Sequence, residues 1–247
     1  MGGGVPHFTD YNQHVRLGDV VISCPPSVNP IGKEYIYLHC DKFEHSPEHR
    51  ASSPNGEIAI DTFNYRTWCP PNLELQELAK ELYEMGLENE KMRTWEKYIN
   101  QSMKQLQEQE SDFARPDDDG DKLYMSIGTK DVIEVGHPEA PSNANGYDPR
   151  TNGMPVLHFG PVASGRILVK NEHIRQDVAS KFGIKAFDCE FDTVAESVFG
   201  NRKDRYLFLR GISDYKDGTR KKEWQPFAAL SAAAFMKTII ETLPPSD

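Results

Sequence analysis

The run GISDYKDG, Gly211 to Gly218, holds the residue best suited to acid chemistry. Tyr206 to Ile212 (YLFLRGI) is apolar and β-prone and reads as a central strand. Asp214 therefore falls just beyond a strand's carboxyl end, where open α/β sheets bind ligands. An acid held there partly out of water has a raised pKa and can deliver a proton, with Ser213 beside it to orient it. The same spacing describes an aspartate that only turns the chain, and spacing alone favours the turn. Glu190, in AFDCEFD, follows a short apolar run and opens a helix. Its carboxylate can accept two hydroxyl hydrogen bonds, as a ribose diol offers. It can equally sit there because of the helix dipole, as can Asp188 and Asp192. Gly2, Gly3 and Gly4 would let backbone amides approach a ligand closely, though three glycines also suit a flexible tail.

Lys216, Arg220, Lys221 and Lys222 follow Asp214 in an otherwise acidic chain. Folded back over a pocket they would meet the phosphates of a nucleotide; a solvated basic loop is the plainer alternative and is favoured. Asp117 to Asp121 (DDDGD) resembles a calcium loop, but the twelfth position would be Ser126 rather than a bidentate acid. A solvated acidic loop is expected instead. Tyr35, Tyr37, Phe63, Tyr65 and Trp68 have no basic stripe beside them, so they read as core or pocket wall.

Composition narrows the class. The 247 residues suffice for one sizeable domain, and the net charge of -10 argues against nonspecific binding to nucleic acid or an anionic membrane. Cys24, Cys40, Cys69 and Cys189 form no CxxC pair, and no HExxH occurs, so neither a disulfide framework nor a metal is expected. No apolar run is long enough to cross a bilayer. MGGGVPHFTDYNQHV has no leader character, and Pro6 stands where a myristoylation pattern needs Ser or Thr. A cytoplasmic protein with reduced thiols is expected.

The elements that must position these residues follow from periodicity. Leu17 to Ser23, Lys33 to Cys40, Ile184 to Phe187 and Tyr206 to Ile212 read as strands. Residues 41–71 read as loop with one short strand. Asn72 caps a helix that Gly86 should stop, and a second helix over 89–110 carries Met92, Trp95, Ile99, Met103 and Leu106 in one stripe, making a helical hairpin. Residues 111–153 read as a polar, partly mobile linker. VLHFGPVASG is strand plus turn; 172–182, 191–199 and 224–243 are helices. The order implies one α/β domain over 1–247, three layers about a mainly parallel mixed sheet, with an insertion at about 41–153.

Four segments in order carry a resemblance. GGGVP with VRLGDVVIS, then VLHFGPVASGRILVKNEHIR, GIKAFDCEFDTVAESV and LFLRGISDYKDGTRKKEWQPFAALSAAAFMK resemble the glycine loop and later motifs of the nucleoside phosphorylase and nucleosidase superfamily. The versions with DY, a basic loop and WQ are similar to eukaryotic multidomain members. The resemblance implies cleavage of a purine N-glycosidic bond without a cofactor, by water or with phosphate as co-substrate, hydrolysis being preferred. It implies that Asp214 protonates or hydrogen-bonds purine N7, that Ser213 steadies it, and that Glu190 binds the ribose. Cys189 would pack on the sugar where a Met is usual, and Gly3 and Gly4 would lie beside it. Ser164 and Gly165 fall in the ASG turn, and Leu168 falls where some nucleosidases stack an aromatic on the base. Phe191 and Asp192 depart from the family's small residues after the ribose-binding Glu, and Arg166 from its usual acid. The family's domain has a βαβ portion ahead of its glycine loop. The chain is therefore expected to lack the first strands, to leave a sheet edge without a neighbour, and to be weakly active by itself. The rival expectation is an inactive fragment or pseudoenzyme acting as a binding module. Family members often form dimers or larger assemblies, so a homo-oligomer is also open.

Overall fold

In the computed structural model, residues 2–44, 62–107, 113–127, 131–141, 147–189, 191–215 and 221–244 are described. Ten strands form: β1 Gly2–Gly4, β2 Val20–Ser23, β3 Tyr37–Glu44, β4 Thr62–Trp68, β5 Leu123–Ile127, β6 Asp131–Val135, β7 Leu157–Gly160, β8 Val162–Ser164, β9 Ala186–Asp188 and β10 Leu209–Asp214. The helices are α1 Glu74–Glu88, α2 Thr94–Leu106, α3 Arg166–Lys170, α4 Glu172–Phe182, α5 Asp192–Gly200 and α6 Trp224–Thr242. Eight strands make one sheet in the order β4-β3-β8-β9-β1-β10-β2-β7. The pairs β1–β10, β2–β7, β3–β8 and β8–β9 are parallel, while β1–β9, β10–β2 and β3–β4 are antiparallel. The sheet is thus mixed, with parallel pairs in the majority, and helices cover both faces.

Strand alternation sorts the core into two layers. Tyr37, Val162 and Ala186 lie side by side across β3, β8 and β9, and their successors Leu38, Ala163 and Phe187 form the next row. The first row joins the core with α1, α2 and α6; the second joins the core that α3 and α4 cover, with Val178 and Phe182. A period of two residues is what sends neighbours to opposite faces.

Several sequence expectations change. Gly86 lies inside α1 rather than ending it, because the Trp95 ring packs where a side chain would project, 2.2 Å from the position of a Cβ. Arg93 Nε also donates to the Gly86 carbonyl at 2.6 Å. The N-cap of α1 is Leu73, without a side-chain cap, rather than Asn72, whose Oδ1 accepts from Glu74 N at 2.8 Å from one residue earlier. The second helical stretch breaks into a 3-10 turn, Glu90–Met92, which leaves Met92 exposed, and α2. Instead of a free hairpin, both helices pack against α6, where Trp95 meets Phe235 edge-on at 5.5 Å. Residues 111–153 are more than a linker, since β5 and β6 pair there as a hairpin. VLHFGPVAS supplies two strands on different parts of the sheet, β7 at one edge and β8 inside. β1 is internal, between β9 and β10, and the edge strands are β4 and β7.

Gly211 is the closest helix-to-sheet approach. A Cβ there would stand 1.9 Å from the Ala228 carbonyl oxygen of α6. Because the obstruction is backbone, no rotamer change relieves it. Gly211→Ala is expected to cost about 3 kcal/mol, the upper range for overpacking, as a lowered urea midpoint. An unchanged midpoint would show that α6 does not rest on this contact.

Candidate functional site

β1 and β10 run parallel, and their register sets Gly3 beside Asp214. On the other side of β1, Gly3 stands opposite Phe187. The glycine strand and the acid are therefore neighbours in the sheet. Ser213 is buried and Asp214 half-buried. Asp214 is the last residue of β10 rather than a residue past it, because the strand begins three residues later than the apolar run suggests. The reason lies in Phe208: its N–H donates to Ser23 Oγ at 2.8 Å, and its carbonyl accepts from Ser23 N at 2.9 Å.

β9 runs opposite to β1, so Cys189 leaves the sheet toward the level at which β10 begins. Asp188 shows this. Its Oδ2 accepts from Arg210 Nε at 2.7 Å and its Oδ1 from Cys189 N at 2.7 Å. Asp188 is thus an ion-pair partner rather than a helix-dipole carboxylate. Arg210 precedes Asp214 by four residues, roughly 13 Å of extended strand. The acid end and the Cys189 end of the sequence-read site are separated by about that span along the sheet. The Arg210 guanidinium also lies 3.9 Å from the Phe191 ring centre. Phe191 packs edge-on against Phe208 and Tyr37, at 5.0 and 5.9 Å, so this departure from small residues fills space beside the pair.

Ser164 ends β8, level with Asp188. It is buried, and its Oγ lies 2.7 Å from His39 Nδ1. Asp41 and Asp192 flank that imidazole at 3.5 and 3.7 Å, and Asp192 also meets Arg66 at 3.4 Å. Gly165 has φ +142°, and a Cβ there would meet the Cys40 carbonyl oxygen at 2.4 Å. Leu168 is 0% exposed and belongs to the α3–α4 core, so its side chain packs the interior. Gly4 is buried, Cys189 is an exposed free thiol, Lys221 is half-buried and Lys222 exposed. Glu190, Lys216 and Arg220 lie outside the described residues.

Sequence reasoning missed Arg210 and His39 here, while Tyr37, read as core or pocket wall, is core. Arg210 had a visible signal, a cation within an apolar strand. His39 had none, since its partner Ser164 is far along the chain.

Two buried polar clusters stand behind β10. Asp19 Oδ2 accepts from Arg16 N at 2.8 Å, Arg150 Nη2 at 3.1 Å and His158 Nε2 at 3.0 Å, and its Oδ1 accepts from Val156 N at 2.9 Å. Burial alone would raise this carboxyl; Arg150 and His158 outweigh it and hold it at about 2. The second cluster corrects the expectation of a solvated DDDGD loop at its last residue only, since Asp117, Asp118 and Asp119 are exposed. Asp121 has a side chain 0% exposed, bound by Arg16 Nε at 2.9 Å and Tyr215 Oη at 2.7 Å. Cavities adjoin both. One of about 30 Å³ touches Gly4, Phe187, Arg175, Tyr124 and Tyr215, room for about one water. A cleft of about 570 Å³ follows the β7 edge, lined by Tyr11, Tyr83, Tyr147, Asp148, Arg150 and His158.

The chain matches no family model. It is 25% identical over 247 residues to a nucleotide-binding leucine-rich repeat (NLR)-like protein of Hyaloscypha variabilis, covering 99% of this chain and 21% of that protein. The chain thus spans about a fifth of that relative. Among solved structures, a 5′-methylthioadenosine/S-adenosylhomocysteine nucleosidase of Neisseria meningitidis is 14% identical with TM-score 0.43, over 98% of this chain and 67% of the other. A futalosine hydrolase of Helicobacter pylori is 15% identical with TM-score 0.41, over 98% and 66%.

The buried histidines make stability depend on pH. Burial, helped by His137 and Arg150, lowers His14 to about 3, and burial also lowers His158. Below the unfolded value of about 6.5 the unfolded chain takes up protons that the folded chain refuses. This contribution is whole above pH 6.5 and shrinks as pH falls toward 3. His14 alone predicts a loss of about 2 kcal/mol between pH 7 and 5. Urea unfolding at the two pH values measures it, and a flat profile would contradict a neutral buried His14.

Proposed function

We propose that this chain binds a purine nucleoside or nucleotide at the Gly3–Asp214 end of β10 and cleaves its N-glycosidic bond with water. One observation carries the reading: the glycine strand and the acid, read separately from sequence, are neighbours on parallel strands, Gly3 beside Asp214 just past a register shift at Gly2. A backbone without side chains beside a half-buried carboxyl suits a flat ring lying against the strand. The four ordered motifs supply the chemical class.

In this reading the bond between sugar C1′ and the purine nitrogen breaks with its electron pair passing to the base. Asp214 protonates or hydrogen-bonds N7, so the base leaves neutral. Water adds to the electron-poor C1′ and releases a proton to solvent. Ser213 steadies Asp214. Glu190 is carried to the ribose by its motif alone, while Cys189, separated from Asp214 by roughly 13 Å of strand, stands too far away to share a nucleoside with that acid. Lys221 and Lys222 would favour a phosphorylated 5′ end.

A binding module without turnover is the second reading. It is favoured by the water-sized cavity beside Gly4 and by Phe191 and Leu168, which spend their bulk on packing. One experiment separates them: chromatographic detection of free purine from adenosine, methylthioadenosine and ATP, with calorimetric binding in parallel. Asp214→Asn is expected to cut turnover on the order of 100-fold, as loss of a general acid does, while binding changes little. Purine release unaffected by Asp214→Asn would remove the acid from the mechanism. Binding without release in the parent chain would favour the module.

A further inference from the structure

The segment 113–137 offers a second use for residues that looked like loop. Tyr215, the residue after Asp214, is almost wholly buried and donates its phenol to Asp121 Oδ1 at 2.7 Å. The other oxygen, Oδ2, takes Arg16 Nε at 2.9 Å. The Asp121 carbonyl lies 2.5 Å from His137 Nε2, and His137 Nδ1 lies 2.8 Å from His14 Nε2. His14 Nδ1 in turn receives the His7 backbone N–H at 3.0 Å.

The direction of every proton in this chain follows from its ends. His14 Nδ1 accepts an N–H, so in neutral His14 the proton is on Nε2 and is donated to His137 Nδ1. His137 then carries its own proton on Nε2, which a carbonyl oxygen must accept, and the Asp121 carbonyl does. Only this tautomer pair satisfies all three contacts. The relay runs from the segment leaving β1, through two residues flanking β5 and β6, to Tyr215, the residue just after β10. The same segment braces α6, where the Arg115 guanidinium lies 5.3 Å from the Trp224 ring centre.

We infer that Asp121 and His137 are positioning residues for the site, holding Tyr215, and so Asp214, against the strand of Gly3. This rests on the reading of Asp214 as the acid. Tyr215→Phe removes one hydroxyl and strands Asp121 Oδ1 without its donor. Displacing a reacting group by an ångström costs on the order of 100-fold, so a slackened strand end should lower kcat and spare KM.

The test has two arms, run on the same chain. In the first, purine release by Tyr215→Phe and by Asp121→Asn is expected to show kcat lowered at least about 10-fold, with KM within about twofold. The double variant should be no worse than the poorer single one, since both break one link. Glu134→Gln, at an exposed hairpin carboxylate paired with Lys122, should match the parent. In the second arm, hydrogen exchange of the Ser213, Asp214 and Tyr215 amides should quicken about 10-fold in Tyr215→Phe while the bulk of the sheet keeps its protection. Parental kcat in Tyr215→Phe, or parental exchange at those amides, overturns the inference. If the parent chain releases no purine, the proposed function falls and the exchange arm alone decides whether Asp121 anchors the end of β10.

Discussion

A carboxylate shut away from water must have its charge met on the spot, or the fold bears a penalty of several kcal/mol. Asp19 is such a group, and its partners come from separated parts of the chain: Arg16 beside it, Arg150 and Val156 far along, and His158 on β7. Its backbone carbonyl also accepts from Ile212 N of β10 at 2.8 Å. One residue therefore joins β2, β7, β10 and the stretch carrying Arg150. The β10–β2–β7 end of the sheet has no freedom to slide in register without stranding that charge. Removing one partner of a buried pair typically costs about 3–5 kcal/mol, far more than the pair contributes against an apolar replacement. The value of the cluster is accordingly in specifying which strands meet.

The same logic explains why a polar insertion is ordered. Hairpin β5–β6 has exposed Ile127, Val132 and Ile133 and little core of its own. Two strands alone are marginal in water. What fixes this region is the buried end of the acidic run, where Asp121 supplies an acceptor to Arg16 and Tyr215 and a carbonyl to His137. Charged and polar side chains here do the positioning that apolar ones do elsewhere in the sheet.

At the candidate site, the antiparallel entry of β9 divides the labour. Asp214 and Gly3 share one level of the sheet, while Asp188, Ser164 and Cys189 gather toward the start of β10. Arg210 spans the two by sitting in the strand of one and pairing with the carboxylate of the other. Phe191 closes the side of this pair, its ring against the guanidinium and edge-on to Phe208. The residues between the two ends, Arg210, Gly211, Ile212 and Ser213, are buried, so the two ends are separate places on the sheet.

Much of this was legible from the residues alone. Apolar runs located β2, β9 and β10 within a few residues, and α4 and α6 followed from their apolar pattern, because those signals are local. The acid at a strand end was legible too. What tertiary structure decided is what depends on partners distant in sequence. Gly86 looked like a helix stop, yet it exists to admit the Trp95 ring. VLHFGPVAS looked like one strand, yet a sheet that bends there uses it as two. DDDGD looked solvated, but Arg16 and Tyr215, 105 and 94 residues away from Asp121, bring its last carboxylate inside. Composition and spacing report what a residue can do. Only the fold, by choosing which charges lose their water together, settles which of those capacities each residue uses.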